Sequence, residues 1–377
     1  MAKLGDFFTI ASGGTPDKRN PSYYENGTIP WVKTGDLKNQ YVPTGIDCIT
    51  EEGLNNSSAK LFPPNTVLVA MYGATIGACS ILSYEAATNQ ACAAFLPNEN
   101  VLPTYLYYFL SSKREQFVKD GVGGAQPNIS AGYLKNVQFG LIPMQQQIDI
   151  VEKLDKVEKL IALRKEQLAK LDQLVKSRFV ELFGDTPDEE KKTMADICKI
   201  ITDGTHQPPK FTSTGIPFLF VSNIVTNEIH YDAEKFISEE TYAELIKRTP
   251  IAIGDILLST VGSYGHPAVV KSDKPFCFQR HIAYLKPNAD MVNSEYLRGA
   301  ILSADVQRQI DERVKGIAQK TLNLSEIRKL QLPLPSMEQQ EQFAAFVEQT
   351  DKSKLAIQYS LNKLELLKKS LMQKYFG

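Results

Sequence analysis

The sequence contains few of the residues that bind metal ions or form disulfide bonds. Its 377 residues include five cysteines and four histidines. The cysteines are odd in number and widely scattered, which indicates reduced thiols in a cytoplasmic protein rather than a disulfide framework. Neither residue type shows the spacing of metal ligands, so the histidines are expected to have surface or loop roles. The residues concerned are Cys48, Cys79, Cys92, Cys198, Cys277, His206, His230, His266 and His281.

The sequence also lacks a long apolar segment and an excess of charge. No apolar run approaches the roughly 18 residues of a membrane span, and the first residues show no secretory signal. Hydrophobic residues make up 43% and charged residues 23% of the chain, as in ordinary soluble proteins. The net charge of −1 argues against a protein that coats nucleic acid through bulk positive charge. It does not exclude a DNA-binding protein whose basic residues are local, or one that shares its phosphate contacts with a partner.

Motifs of catalysis are incomplete or missing. A methylase of exocyclic amines is expected to carry Asn or Asp, two prolines and an aromatic residue. Asn20-Pro21-Ser22-Tyr23 lacks the second proline. Gln207-Pro208-Pro209-Lys210 lacks both the Asn or Asp at its start and the aromatic residue at its end. Neither accompanies a Gly-x-Gly cofactor fingerprint after a strand, and there is no Walker loop for a nucleotide. The acidic residues after Pro187 have the composition of a nuclease site, but adjacent linker residues cannot surround a metal ion. We therefore predict no catalytic, cofactor-binding or metal-binding residues.

The longest regular feature is a stretch with helical periodicity from Gln146 to Asp185. Apolar residues recur at alternating steps of four and three, and no proline interrupts the pattern. This is the pattern of a coiled-coil seam. At about 1.5 Å per residue the helix would be on the order of 55 Å long, which predicts a spacer rather than one helix of a compact domain. The predicted seam comprises Ile150, Leu154, Val157, Ile161, Leu168, Leu171, Val175 and Leu182.

A matching stretch runs from Gln339 to Phe376. Aligning Gln147 with Gln340 superimposes the two seams, and a proline-containing turn precedes each copy. Because each seam must bury its apolar stripe, we predict that the two helices pack against each other; an ordinary core helix is the alternative. The second seam comprises Phe343, Val347, Ile357, Leu361, Leu364, Leu371 and Tyr375.

The segments before the two helices repeat one order of features. A glycine-rich turn, three short strands, a helix and a polar loop are predicted in residues 1–143 and again in 191–335. Gly262 follows Gly73 by 189 residues (262 − 73), and Gln279 follows Gln90 by the same 189 (279 − 90). A constant offset indicates two copies of one unit, each a globular part followed by a long helix. In the first copy the strands are predicted at 29–32, 67–71 and 91–96 and the helix at 103–118; the helix of the second copy is predicted at 296–314.

Polar residues gather in loops at equivalent positions of the two copies. Such side chains can hydrogen-bond to base edges and phosphates, so these loops are candidate DNA contacts. Loops that are polar only because they face solvent are the alternative. Arg280 is the strongest candidate for a base contact, since its guanidinium can donate two hydrogen bonds to guanine. Lys315 and Lys320 are expected to contact phosphate. The candidate residues are Thr15, Lys33, Thr34, Tyr72, Thr75, Asn89, Gln90, Gln126, Asn128, Thr205, His206, Lys210, Ser263, Tyr264, Gln279, Arg280, His281, Lys315, Gln319 and Lys320.

Short motifs mark the openings of the two globular copies and the ends of the helices. They are Ser12-Gly13-Gly14-Thr15-Pro16, Gly204-Thr205-His206, Pro208-Pro209, Gly215-Ile216-Pro217, Gln147-Ile148-Asp149-Ile150-Val151, Glu338-Gln339-Gln340-Glu341-Gln342-Phe343 and Ser177-Arg178-Phe179-Val180-Glu181-Leu182-Phe183-Gly184-Asp185. In combination they resemble the specificity (S) subunits of type I restriction–modification enzymes, the HsdS family. The resemblance covers the full chain, and the combination is specific although each motif alone is weak.

The resemblance implies an α+β fold in which two long antiparallel coiled-coil helices separate two repeated mixed α/β target-recognition domains, with pseudo-twofold symmetry. The domains are expected at 1–143 and 186–335, and the spacer helices at 144–185 and 336–377. Each domain would recognise one half of a bipartite, asymmetric double-stranded DNA target. The helices would set the spacing and dock two modification (methyltransferase) subunits, and restriction (motor) subunits would join them. The alternatives to this non-catalytic role are an intrinsic DNA methylase or nuclease and a scaffold that binds only protein.

Overall fold

The computed structural model describes residues 2–122, 128–184, 187, 190–316 and 319–377. The chain divides into two compact units. The first unit comprises Met1–Leu163 and Ser360–Gly377, and the second comprises Arg164–Tyr359. Each unit contains one globular part and a segment of each long helix, and each is described by itself.

The globular part of the first unit contains two four-stranded sheets. One sheet is antiparallel with the order β1-β8-β5-β6, and the other has the order β3-β2-β7-β4 with β2 and β7 parallel. Two of the predicted strands, 67–71 and 91–96, are neighbours in the first sheet. The strands are β1 Ile10–Ser12, β2 Ile29–Val32, β3 Cys48–Ile49, β4 Leu61–Phe62, β5 Val67–Ala70, β6 Cys79–Ile81, β7 Ala86–Thr88 and β8 Cys92–Phe95.

The strand β5 is buried on both of its faces. Val67 and Val69 belong to the core that the sheet forms with the helices, whereas Leu68 and Ala70 belong to the core between the two sheets. Successive side chains of a strand point to opposite faces. This placement explains why the segment is apolar throughout instead of alternating between apolar and polar residues.

The helix predicted at 103–118 is two helices, so the prediction of one continuous helix is wrong. Lys113, with φ −88° and ψ 1°, separates them. Phe109 and Phe117 lie on opposite sides of the break and are buried in the same core, so the apolar spacing continues across it. The helices that begin in the first unit are α1 Leu4–Phe7, α2 Glu51–Asn55, α3 Pro103–Ser112, α4 Arg114–Asp120, α5 Ala131–Lys135 and the long helix α6 Met144–Phe183.

The second unit repeats this architecture. Its antiparallel sheet has the order β10-β16-β13-β14, which matches β1-β8-β5-β6 strand for strand, and a smaller sheet β12-β11-β15 contains a parallel pair, β11 and β15. Strands β9 and β17 form an additional antiparallel pair. The strands are β9 Lys191–Thr193, β10 Cys198–Asp203, β11 Ile216–Leu219, β12 Phe236–Ile237, β13 Ile256–Ser259, β14 Pro267–Val269, β15 Cys277–Phe278, β16 Ile282–Pro287 and β17 Gln331–Pro333.

The helix predicted at 296–314 is also interrupted. Its second part begins after Ser303, whose hydroxyl accepts a hydrogen bond of 3.4 Å from the amide of Val306. A serine at this position caps a new helix, and helical periodicity alone does not reveal such a restart. The helices of this part of the chain are α7 Met194–Ile197, α8 Glu239–Leu245, α9 Ser294–Ile301, α10 Ala304–Arg313, α11 Leu324–Ile327 and the long helix α12 Met337–Phe376.

The two long helices pack together in an antiparallel manner, as predicted. In the first unit Phe376 joins the core that contains Leu154 of α6, and Lys368 pairs with Glu158. In the second unit the Phe343 ring lies 5.4 Å from that of Phe179 and 5.9 Å from that of Phe183. Each helix has 40 residues, about 60 Å at 1.5 Å per residue.

The predicted seam residues are buried or half-buried, with one exception. Leu182 is 38% exposed, and its neighbours Phe179 and Phe183 turn into the core of the second unit instead. The buried members are Ile150, Leu154, Val157, Ile161, Phe343, Val347 and Leu361, and the half-buried members are Leu168, Leu171, Val175, Ile357, Leu364, Leu371 and Tyr375.

A buried glutamine fastens the start of each long helix to its globular part. The Gln147 carboxamide accepts from the amide of Leu102 (2.9 Å) and donates to the carbonyls of Asn100 (2.8 Å) and Ile142 (3.0 Å). Gln340 repeats the arrangement in the second unit. Its side chain accepts from the amide of Asn293 (2.9 Å) and donates to the carbonyls of Pro335 (2.9 Å) and Met291 (3.1 Å).

We predict that Gln147→Leu lowers the free energy of unfolding by roughly 2–4 kcal/mol, because it removes three hydrogen bonds and leaves their backbone groups without this partner. Gln340→Leu is expected to act similarly in the second unit. Urea titration of the purified chain measures the effect. Gln146→Leu is the matched control, because Gln146 is exposed on the same turn of helix α6. Equal stability of the Gln147 and Gln146 variants would contradict the assigned role.

Candidate nucleic-acid interface

The antiparallel sheet of the first unit brings three connecting segments to one edge. Strands β1 and β5 end there and β8 begins there, since Ser12 pairs with Ala93 and Ala70 pairs with Cys92. The segments that leave this edge are 13–15, 71–77 and 89–91, which we term the first loop edge. We term the polar loops at 121–130 and 316–325 the closing loops. Ile129 of the first closing loop also joins this edge, because its amide donates to the carbonyl of Met71 at 3.0 Å.

Several candidate side chains of the first loop edge are held by hydrogen bonds within the edge. Thr15 hydrogen-bonds to the Gln90 side chain, and the hydroxyl of Thr75 donates to the Tyr72 carbonyl at 3.2 Å. The Asn89 side chain accepts from the amide of Ala91 at 3.2 Å. Tyr72 is 44% exposed. Uncharged hydroxyl, amide and phenol groups therefore occupy this edge.

Further candidates of the first unit lie beside this edge or outside the described residues. Lys33 and Thr34 directly follow β2, and the Val32 carbonyl accepts from the Asn89 amide at 2.9 Å, so they adjoin the first loop edge. The Lys33 ammonium pairs with the carboxylate of Asp47. Asn128 forms an isolated bridge with Tyr72 and is exposed. Gln126 lies outside the residues that the structure describes.

The second unit gathers the equivalent segments at one edge of its own sheet. Asp203 pairs with Ala283 and Ser259 pairs with Ile282, so β10 and β13 end where β16 begins. The segments 204–206, 260–265 and 279–281 leave this edge, which we term the second loop edge. The closing loop joins it through the Leu322 amide, which donates to the Thr260 carbonyl at 2.8 Å.

Glycines with the same backbone conformation shape the corresponding turns. Gly73 has φ +66° and Gly262 has φ +72°, while Gly77 has φ +75° and Gly265 has φ +80°. Positive φ values are accessible to glycine without a steric penalty. The repeat that the sequence offset predicts therefore extends to the backbone conformation of these turns.

Basic groups distinguish the second loop edge from the first. The Nε of Arg280 donates to Nε2 of His281 at 3.3 Å, and within the described part of the chain neither terminal nitrogen of this guanidinium has a hydrogen-bond partner. Burial and the neighbouring Arg280 charge lower the pKa of His281 below its usual value, which favours the neutral form of the ring. The ammonium of Lys320 lies 6.0 Å from the ring centroid of Tyr264.

The remaining candidates of the second unit are placed as follows. Thr205 and Gln279 form a parallel bridge at the second loop edge. Lys315 pairs through its backbone with Thr321 in the closing loop. The other four are exposed or half-exposed: His206 and Ser263 lie in the edge segments, Gln319 in the closing loop, and Lys210 in the segment between β10 and β11.

One pair of residues at the second loop edge was not predicted from the sequence. The carboxylate of Asp203 binds both the Arg248 guanidinium and His206. Arg248 follows α8 and is separated from Asp203 by 45 residues. No local motif indicates a contact between residues so far apart, and only the path of the chain brings them together.

The cysteines form neither disulfide bonds nor a metal site among the described residues. All five cysteines are free, and burial raises the pKa of the Cys79 and Cys198 thiols to about 12. Within the described part of the chain, no group of three or more histidine, cysteine or acidic side chains could hold a metal ion. Over the same residues, none of the helices has the length and apolar character to span a membrane.

Comparison with known proteins gives a family match over most of the chain. The family model "Type I restriction modification DNA specificity domain" matches residues 1–173 and again residues 188–366. The two matched segments each contain one of the globular parts and much of the long helix that follows it. The repeat found in the sequence therefore corresponds to two copies of this domain.

Individual relatives agree with the family match. The MjaIX specificity subunit of Methanocaldococcus jannaschii is 25% identical over 92% of this chain and 85% of its own length. The EcoR124I/EcoR124II specificity subunit of Escherichia coli is 30% identical over 42% of this chain and 40% of its own length.

Solved structures show the same fold. An S subunit of a type I restriction–modification system from M. genitalium has a TM-score of 0.55 at 15% identity, covering 100% of this chain and 95% of its own. A structure from a study of complex assembly in a type I system has a TM-score of 0.60 at 17% identity, covering 100% of this chain and 96% of its own. The family matches and the repeated architecture together show that this chain belongs to the DNA specificity subunits of type I restriction–modification systems.

Proposed function

We propose that this protein selects the DNA target of a type I restriction–modification complex, with each globular part recognising one half of a bipartite, asymmetric sequence. The observation that carries the proposal is the pair of loop edges. Each unit directs the same set of segments to one edge of the same sheet, but the side chains on those segments differ. A constant framework with variable loops is suited to the recognition of two different half-sites.

The proposal extends to protein partners. Leucines of the long helices that face away from the seam are exposed, among them Leu160 and Leu366 of the first unit and Leu174 and Leu355 of the second. We assign these leucines to the docking of two modification subunits, which restriction subunits then join; exposed apolar residues mark such a site where they form a contiguous patch. The net charge of −1 supports phosphate contacts that are shared with these partners. We place this complex in the cytoplasm.

Specificity subunits of this family are non-catalytic, and other subunits carry the catalysis. We expect the purified chain to transfer no methyl group from labelled S-adenosylmethionine to DNA, whereas the chain assembled with its modification subunits does. The same assembly is expected to shift target DNA in a salt-dependent manner. Methyl transfer by the purified chain alone would contradict the proposal, and an assembly that binds no DNA would indicate a scaffold that binds only protein.

Arg280→Ala is expected to relax recognition at one position of one half-site, because a bidentate arginine contact supplies about 1–3 kcal/mol of discrimination for guanine. Methylome sequencing of a host that expresses the complex measures the change. Lys315→Ala is the matched comparison: loss of a phosphate contact weakens binding to all sequences alike. Equal loss over both half-sites for Arg280→Ala, or no loss, would argue against the assignment.

The long helices are proposed to set the number of base pairs between the half-sites that the protein does not recognise. One heptad adds about 10.5 Å at 1.5 Å per residue and keeps the seam in phase. DNA rises about 3.4 Å per base pair, so a heptad corresponds to roughly three additional base pairs. The Glu158–Lys368 pair identifies facing levels of the two helices where both insertions can be made.

With seven residues inserted into both helices at this level, the complex is expected to keep both half-site sequences and to prefer a longer gap. Methylome sequencing again gives the result. An insertion in one helix alone is the control, since it displaces the partner seam and is expected to impair folding. A double insertion that assembles and retains the original gap would show that the helices do not set the spacing.

A further inference from the structure

A largely buried carboxylate lies at the second loop edge. Asp203 is the last residue of β10, and its side chain is only 14% exposed. Its Oδ1 lies 2.5 Å from Nη2 of Arg248, and its Oδ2 lies 3.0 Å from Nε2 of His206. A carboxylate removed from water in this way needs a positive partner, so the ion pair holds the arginine at the edge.

The arginine of this pair keeps much of its hydrogen-bonding capacity. Arg248 is 52% exposed, and its bonds to Asp203 and to the Thr202 hydroxyl (3.4 Å) both involve Nη2. Among the described residues, neither Nε nor Nη1 of Arg248 has a hydrogen-bond partner. With Thr205, Arg248 lines an open cavity of about 150 Å³ at this edge. The Arg248 side chain therefore borders a concave, solvent-accessible surface.

Arg248 and Arg280 flank the same turn. The amide of Arg280 donates to the Thr205 carbonyl at 3.1 Å, while Arg248 is bound two residues earlier in the chain, at Asp203. Each guanidinium is held on one side, by His281 for Arg280 and by Asp203 for Arg248, and each keeps donors for an external partner. Two restrained guanidinium groups beside one turn are suited to nucleic-acid recognition, because the planar group can donate two hydrogen bonds to one base edge.

The chemistry of the ion pair favours a base over a phosphate as that partner. Asp203 already balances the charge of Arg248 and would itself repel a phosphate. A guanine edge is uncharged and offers two acceptors, N7 and O6, to which Nη1 and the second N–H of Nη2 can donate while the first N–H of Nη2 stays on Asp203. We propose that Arg248 is a second guanine-contacting residue of the second unit, positioned by Asp203. This inference rests on the proposed function and deepens it.

Three variants of the full chain, each assembled with its modification subunits in a host, test the proposal by methylome sequencing. Arg248→Lys keeps the positive charge beside Asp203 but lacks the planar fork, and Arg248→Gln removes the charge. Arg308→Gln is the matched control, because Arg308 is an exposed arginine bound to Asp305 and Glu312 on its own helix, α10. Circular dichroism and thermal melting of each assembly establish that it is folded.

Both Arg248 variants are expected to lower the preference for guanine at one position of one half-site about 10- to 100-fold and to leave other positions unchanged. The control is expected to keep the wild-type motif. If the Gln variant fails to fold, the Lys variant alone decides, because it retains the ion pair. A uniform loss of methylation with Gln that Lys restores would identify a phosphate contact and overturn the assignment. An unchanged motif in both would overturn it and leave the proposed function intact, whereas a wild-type assembly without any bipartite motif would overturn both.

Discussion

The buried carboxamides of Gln147 and Gln340 are the interaction on which the arrangement of each unit depends. Each side chain binds three backbone groups, from the turn that enters the long helix and from the segment that precedes the helices of the globular part. Buried in largely apolar surroundings, such a group tolerates only the geometry that satisfies all of its bonds. The helix therefore leaves the globular part with a defined rotation, and that rotation decides which of its faces forms the seam.

The antiparallel sheet imposes the second constraint, because it determines where the loops can be. In β1-β8-β5 and in β10-β16-β13, neighbouring strands run in opposite directions, so the ends of the two outer strands and the start of the middle strand lie at one edge. The sheet itself is covered on both faces, by the helices and by the second sheet. Its stability comes from that covered core, so the edge segments are free to carry different side chains in the two units. Neutral groups at Thr15 and Gln90 and basic groups at Arg280 and Lys320 are thus compatible with one framework.

Much of this organisation could be predicted from residue patterns, and the errors have identifiable causes. A seam maintained over many turns predicts a helix and its buried face reliably, since few other structures satisfy that period. The apolar spacing does not reveal the breaks at Lys113 and Ser303. A change of backbone conformation makes the first break, and a single capping side chain marks the second. Leu182 lies where the four- and three-residue steps predict a buried seam position, yet it is exposed. The larger Phe179 and Phe183 fill the space beside Phe343 instead.

By itself the sequence determined the two long helices, the repeat and the glycine turns, because each depends on local periodicity or on a constant offset between copies. Only the tertiary structure decided which side chains form ion pairs or hydrogen bonds and which residues are their partners. The pairing of Arg248 with Asp203, of Lys33 with Asp47, and of Gln147 with the carbonyl of Asn100 joins residues that local patterns do not relate. Such bonds form where the path of the folded chain brings donor and acceptor together, and no spacing rule encodes that path.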